Sequence, residues 1–458
     1  MNKIYRNILA TASALMALSL TGCVNEDSPC PDNDDPGQGM SIQFTVVTHN
    51  PGQGAGAQSQ TDAPSGAPAL NGASRADDCN GEQTGSPAEN FIDMSTCQFF
   101  LFDGTGTVLR RIFPEETSKN ETSYQWYQFK AEIVEPYFDN AIKSGQPTVD
   151  FYIMVIANSK SLDGQEIAYT PGRTTIADII NQGRTFRRPP EGFYNDTGFH
   201  GWAPSLNISD NRMIPMTGIQ KFTVSTADLA TSTYDTPVSL SPGMTGGIPV
   251  QTPKDIDMLR ALAKIEVIDK IDLPDGYDPT IDRIEIEKVE LVGLYNTGRL
   301  LPDWPDYVTE QVTTPTLPAA NQYLEPLAYS EQYTVNNGDK IVFFDLDPYS
   351  SEHFHQNYPV FSGYTTEYSL NSIGNKVKPY IVVTLVNKND NTQTSYYKEL
   401  KLSKYEDGKP NGDGIEFMLR NHIYRYVITG VESDTQLLQV GYSICDWSDY
   451  TVDIPSFN

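Results

Sequence analysis

Asp150-Phe151-Tyr152-Ile153-Met154-Val155-Ile156-Ala157 decides the fold. The run is apolar at almost every position, rich in β-branched and aromatic side chains, and too short for a buried helix. A run of that kind fits a central strand covered on both faces. Upstream, Gln98-Phe99-Phe100-Leu101-Phe102 leads into Asp103-Gly104-Thr105-Gly106, the signature of a strand entering a hairpin turn. Downstream, Thr174 or Thr175 is placed to cap a short helix reaching Gln182, with Ile176, Ile179 and Ile180 on one face. This is the clearest helical signal in the chain.

Further strands follow in the same idiom. Leu259, Ala261, Ala263, Ile265 and Val267 alternate with Arg260, Leu262, Lys264 and Glu266. Ile284 and Ile286, Ile341–Phe344 and Tyr380–Val386 add more, and the polar loop Lys388-Asn389-Asp390-Asn391 joins the last of these to Thr394–Glu399 as a hairpin. His422, Tyr424, Tyr426 and Ile428 alternate near the end, and Ser41-Ile42-Gln43-Phe44-Thr45-Val46 near the start. Residues 50–90 are rich in Gly, Ala, Ser, Pro and Gln, and no aromatic occurs between Phe44 and Phe91, so the stretch reads as a flexible linker. Its one basic residue, Arg75, is a natural target for a trypsin-like protease. Residues 226–255 are again rich in Thr, Ser, Pro and Gly, which places a domain boundary there. The expected architecture is all-β: two tandem β-sandwich domains, 40–255 and 256–458, with few short helices.

Composition agrees and excludes whole classes. The 458 residues carry 32 Lys plus Arg against 59 Asp plus Glu, a formal charge of −27. Such a surface repels phosphates, so nucleic acid is excluded as a partner. Aromatics at 11%, 26 of them Tyr, argue against an acidic disordered chain. Frequent Gly (34) and Pro (31) fit a turn-rich β protein.

The N-terminus reads as an address. Lys3 and Arg6 precede the apolar run Ile8–Leu20, which ends in Leu20-Thr21-Gly22-Cys23. That is a signal peptide over residues 1–22 followed by a cysteine placed for acylation, with residues 23–39 as an acidic tether. Cys23 would then anchor the protein in lipid, and Asn25-Glu26-Asp27 behind it resembles the surface-export signal of Bacteroidetes lipoproteins, which implies outer-membrane lipid at the cell surface. Four cysteines remain, Cys30, Cys79, Cys97 and Cys445, enough for two disulfides in any of three pairings.

Catalytic signatures are missing. There is no nucleophile elbow, phosphate-binding loop, zinc-protease motif or dinucleotide fingerprint, so no enzyme and no cofactor are expected. His353 and His355 lie two apart with no third ligand in view, so no metal site is expected either.

Several of these features, in this order, resemble the fimbrillin superfamily of Bacteroidales, the lipoprotein-derived subunits of type V fimbriae. They are Leu20–Cys23, the early strand with its Arg-containing linker, Val155-Ile156-Ala157-Asn158, and Met213-Ile214-Pro215-Met216-Thr217-Gly218. They continue with Leu259-Arg260-Ala261-Leu262-Ala263-Lys264-Ile265, Leu419-Arg420-Asn421-His422-Ile423-Tyr424-Arg425-Tyr426, Trp447 and Val452-Asp453-Ile454-Pro455. The resemblance implies transthyretin-like sandwiches and assembly by strand exchange with other fimbrial subunits, in support of adhesion. It implies that Ser41–Thr48 is removed by a cut after Arg75 and that a neighbour's C-terminal segment fills the vacated groove. In this chain the donor would come from 436–457, where Tyr450, Val452 and Ile454 alternate. Cys23 through Cys30-Pro31 also looks like the anchor subunits of the superfamily, which keep their first strand and end the fibre at the membrane. A different reading is a surface glycan-binding lipoprotein, with Trp126, Trp202, Trp304 and Trp447 as candidates to stack on sugars of a host or bacterial ligand.

Overall fold

The computed structural model of the chain describes residues 39–48, 87–122, 124–158, 166–183, 185–187, 214–271, 284–292, 297–301, 340–342, 354–355, 358–366, 368–369, 380–387, 395–401, 404–406, 409–411, 417–418, 420–431 and 438–446. In the first half these form β1 (Ser41–Val47), α1 (Pro87–Asn90), β2 (Gln98–Asp103), β3 (Val108–Ile112), β4 (Glu115–Lys119), β5 (Trp126–Glu132), α2 (Pro136–Lys143), β6 (Thr148–Ala157), α3 (Ile176–Asn181), β7 (Thr185–Arg187), β8 (Met216–Ser225), α4 (Thr226–Thr231), β9 (Val238–Ser239), β10 (Ile248–Pro249), β11 (Ile256–Asp257) and β12 (Leu259–Arg260). In the second half they form β13 (Leu262–Asp269), β14 (Ile284–Val292), β15 (Thr297–Arg299), β16 (Lys340–Val342), β17 (Phe354–His355), β18 (Tyr358–Thr366), β19 (Tyr368–Ser369), β20 (Tyr380–Asn387), β21 (Ser395–Lys401), β22 (Lys404–Glu406), β23 (Lys409–Asn411), β24 (Phe417–Met418), β25 (His422–Val431) and β26 (Leu438–Asp446).

The protein is all-β, with helices few and short among the described residues. Sheet 1 runs β10-β9-β1-β5-β4, with β11 also on β1, and sheet 2 runs β12-β8-β6-β2-β3. They share one core, in which Ile42, Phe44 and Phe129 of sheet 1 meet Phe99, Phe151, Val155 and Phe222 of sheet 2. The other face of sheet 2 is covered too. Phe100, Phe102, Met154 and Ile156 pack there against Ile176, Ile179 and Ile180 of α3 and against Leu300 and Leu301. Burial on both faces explains why β2 and β6 read as unbroken apolar runs, and β6 is central as its sequence implies. Thr175 caps α3 in a reciprocal capping box with Asp178. The turn after β2 is stitched by Asp103 Oδ1, which accepts from the Thr105 and Thr107 amides at 2.8 and 3.0 Å.

The second half contributes sheet 3 (β17-β18-β13-β25-β26) and sheet 4 (β16-β14-β20-β21). β20 and β21 pair antiparallel, as the two arms of a hairpin do, while the loop 388–391 lies outside the described residues. Residues 238–260 lace the first half together. β9 and β11 both join sheet 1, and β12 joins sheet 2 beside β8. The passage between sheets is tight at Gly218, where a Cβ would lie 2.5 Å from the Asp257 carbonyl oxygen and 2.8 Å from Met258 Sδ. Only glycine lets β8 pass that close to the crossing segment.

Candidate functional site: the seat of the first strand

β1 is the N-terminal strand of the described chain, yet it lies inside sheet 1 with every residue buried. Ile42, Phe44 and Val46 point into the shared core, as their alternation dictates. The Phe44 ring lies 5.5 Å from that of Phe129 and meets Phe99 edge-on at 6.3 Å. Along one side β1 pairs antiparallel with β5 over its whole length, from Ser41↔Glu132 to Val47↔Trp126.

The other side is built differently. Among the described residues no one strand spans it. β9 pairs parallel at Ile42 and Gln43, and β11 pairs parallel at Val46 and Val47. Serine hydroxyls seal the breaks: Ser232 Oγ accepts the Ser41 N–H at 3.1 Å, and Ser241 Oγ accepts the Thr45 N–H at 2.6 Å. Backbone bonds bracket them, Leu240 N–H to the Gln43 carbonyl and Met258 N–H to the Val47 carbonyl, both 2.8 Å.

The polar residues of β1 are as covered as the apolar ones, Gln43 and Thr45 each being 7% exposed. The Gln43 carboxamide donates to Ser239 Oγ and lies 3.5 Å from the Thr245 carbonyl oxygen. Gly247 closes over it: a Cβ there would collide with Ser239 Oγ and stand 2.5 Å from Gln43 Nε2. Beside β11, burial pushes the Asp255 carboxyl up to about 6, and burial with the neighbouring Asp255 charge pushes Asp257 up to about 7.

A second cluster holds α1, on the far side of residues 49–86 from β1. Composition ends the linker at residue 90, but Glu89 and Asn90 are buried, because charged partners from the second half enclose them. Lys264 Nζ lies 3.1 Å from Glu89 and 3.0 Å from Glu266, and Arg425 sits 2.8 Å from Glu266. The Tyr364 hydroxyl donates to Glu89 Oε1, and Arg260 donates to Asn90 Oδ1 and, at 3.3 Å, to Asn421 Oδ1. Burial alone would raise the Glu266 carboxyl. Arg425 and Lys264 outweigh it and hold the group at about 2. Burial brings Arg260 down to about 10 against the pull of Glu89. The alternation at 259–267 shows these side chains sharing a face, but nothing local shows that the face is covered.

Of the residues singled out from sequence, Cys23, Cys30, Arg75, Cys79, Tyr450, Val452 and Ile454 lie outside the described residues, as do Trp202, Trp304 and Trp447. Cys97 is a buried thiol whose Sγ donates to the Asp93 carbonyl at 3.3 Å, and burial pushes it up to about 12. Cys445 lies on β26, opposite Ile423 of β25. Trp126 opens β5, paired with Val47. Asn158, at the end of the central strand, clasps the chain before β2 and before β8: its Nδ2 donates to Phe91 O at 2.9 Å and Ile214 O at 2.8 Å.

No protein-family model matches the chain, and neither does any curated protein. Among solved structures the chain is similar to the tip fimbrial protein Mfa3 from Porphyromonas gingivalis with a C-terminal truncation (13% identity, TM-score 0.44, 89% of this chain and 99% of that one). It is similar also to the fimbrilin FimA from Porphyromonas gingivalis W83 (11%, 0.40, 89% and 97%) and to a fimbrial assembly protein from Parabacteroides distasonis (11%, 0.35, 89% and 95%). These neighbours are fimbrial proteins.

Proposed function

We propose that the chain is a structural subunit of a cell-surface fimbria, lipidated at Cys23 for export to the outer membrane and assembled by β-strand exchange with other subunits. The observation that carries this reading is the place of β1. An N-terminal strand with all seven residues buried in the middle of a sheet leaves, when withdrawn, an apolar groove between two unpaired walls. A neighbour's strand that enters such a groove satisfies backbone and core together. Arg75 lies between β1 and α1 in sequence, so a cut there severs β1 from the body. The resemblance drawn from Leu20–Cys23 and the ordered motifs points the same way. The donor in this chain would be 436–457, with Tyr450, Val452 and Ile454 entering the neighbour's core.

The test is direct. The chain from Val24 onward is treated with an Arg-specific protease and followed by intact mass and native gel. One cut after Arg75, followed by concentration-dependent multimers that deletion of 436–458 abolishes, is the expected result. A chain that stays monomeric, cut or uncut, overturns the fibre role and leaves an anchor subunit or a glycan-binding lipoprotein. Polysaccharide binding by that monomer would favour the glycan reading.

A further inference from the structure

The seat of β1 has a second reading face. An apolar groove would accept almost any strand with alternating large side chains. This one also encloses the opposite face of its occupant and does so with fixed polar groups. Ser239 Oγ and the Thr245 carbonyl present one acceptor each to the Gln43 amide, and Gly247 leaves just enough room for it. The hydroxyls of Ser232 and Ser241 take the main-chain N–H groups of residues 41 and 45, two positions to either side. A carboxylate at the position of Gln43 would face the Thr245 carbonyl with no proton to offer. An apolar side chain there would strand the buried Ser239 hydroxyl without its partner. A proline at the position of Ser41 or Thr45 would leave a serine hydroxyl unmet.

Resting on the strand-exchange reading above, we propose that this polar pocket selects the incoming strand. The partner it fits is an extended segment of a different subunit, with apolar residues at the positions of Ile42, Phe44 and Val46, a carboxamide at that of Gln43, and no proline at those of Ser41 and Thr45. A second copy of this chain fits less well. With Tyr450, Val452 and Ile454 laid on the three apolar positions in the direction of β1, Thr451 falls at Gln43; laid the other way, Asp453 falls there. Neither supplies the carboxamide. The pocket therefore biases the order of subunits: a carboxamide-bearing strand of another subunit is taken in preference to a second copy, which still adds at high concentration.

The experiment uses the full chain from Val24 with a viral protease site inserted after Gly56, so that severing β1 does not depend on Arg75. After the cut, release of the β1 fragment is followed over graded urea, which gives a retention constant whether or not the fragment leaves in buffer. Gln43→Ala is expected to lower retention about tenfold, the loss of roughly one buried hydrogen-bonded group. Gly247→Ala should lower it similarly, and Gln43→Ala should then cost less than about twofold more, because the added methyl already fills the pocket. Synthetic 449–455 peptide is added to the cut chain as a chase, and its Thr451→Gln version should displace β1 about tenfold better. Retention of Gln43→Ala within about twofold of the parent, or equal chase by the two peptides, overturns the proposal. Neither result bears on whether Arg75 is cut or multimers grow, so the two readings fail separately.

Discussion

The seat of β1 and the seat of α1 flank the same stretch, residues 49–86, and are built from opposite materials. β1 is held by apolar side chains on one face and by neutral amides and hydroxyls on the other. α1 is held by buried ions: Glu89 and Glu266 against Lys264, with Arg425 and Arg260 alongside. Neutral hydrogen bonds and apolar contacts can be remade with a new strand of the right pattern. A buried charge stripped of its partner is costly, so the groups that hold α1 are suited to staying together. Severing the stretch between them would leave one side exchangeable and the other locked.

The largest effect should come from the ionic side. Glu266→Ala removes the carboxylate that Lys264 and Arg425 share in the interior and should destabilise the fold by about 3–5 kcal/mol, read as a lowered urea midpoint of the whole chain. Little change in the midpoint would mean the cluster is not a lock. Phe44→Ala opens a cavity between Phe99 and Phe129 and should cost roughly 3–4 kcal/mol. After a cut between β1 and α1, that loss should appear as early release of β1 while α1 keeps its amide protection.

Acid and base should separate the two sides. The Glu266 carboxyl is depressed from 4.5 to about 2, so its stabilisation is complete above about pH 4.5 and is lost as pH falls toward 2. Asp255 and Asp257 are raised from 3.8 to about 6 and about 7, so what they contribute is complete below about pH 4 and is lost as pH rises through 6 to 7. Amide exchange corrected for intrinsic rate should therefore show the Val47–Met258 end of the β1 seat loosening from pH 4 to 8 while the α1 cluster stays closed. The α1 cluster should open only below pH 4. Joint loosening at one pH would break the comparison. The smallest effect is Ser241→Ala, which leaves the Thr45 N–H without its acceptor and should cost about 1–2 kcal/mol, confined to β1 retention.

Much of the frame is legible in the sequence, because it rests on local signals. The run at 150–157 is covered on both faces, the Thr175 cap and its three isoleucines form one short helix, and Asp103–Gly106 turns a hairpin. The candidate site is half legible. The alternation of Ser41–Val46 gives a strand, but β9 and β11 are two residues each and too short for any periodicity to show. The cover over Gln43 comes from about 200 positions away, at Ser239, Thr245 and Gly247. The ionic cluster hides for a related reason. Arg260 meets Asn90 across 170 positions, in a segment whose composition reads as linker to its last residue. Periodicity reports which residues share a face, and only tertiary structure reports what lies against it.

The split wall beside β1 also fixes an order in time. β5, its antiparallel partner, follows it within about 90 residues, but β9 and β11 end at Ser239 and Asp257. Wherever the chain folds, the wall of β9 and β11 joins β1 only by closing about 200 positions of sequence, against about 90 for β5. Long closures come late, because their entropy is lost before any contact repays it. The strand that leads its sheet in sequence is therefore among the last of that sheet to be enclosed.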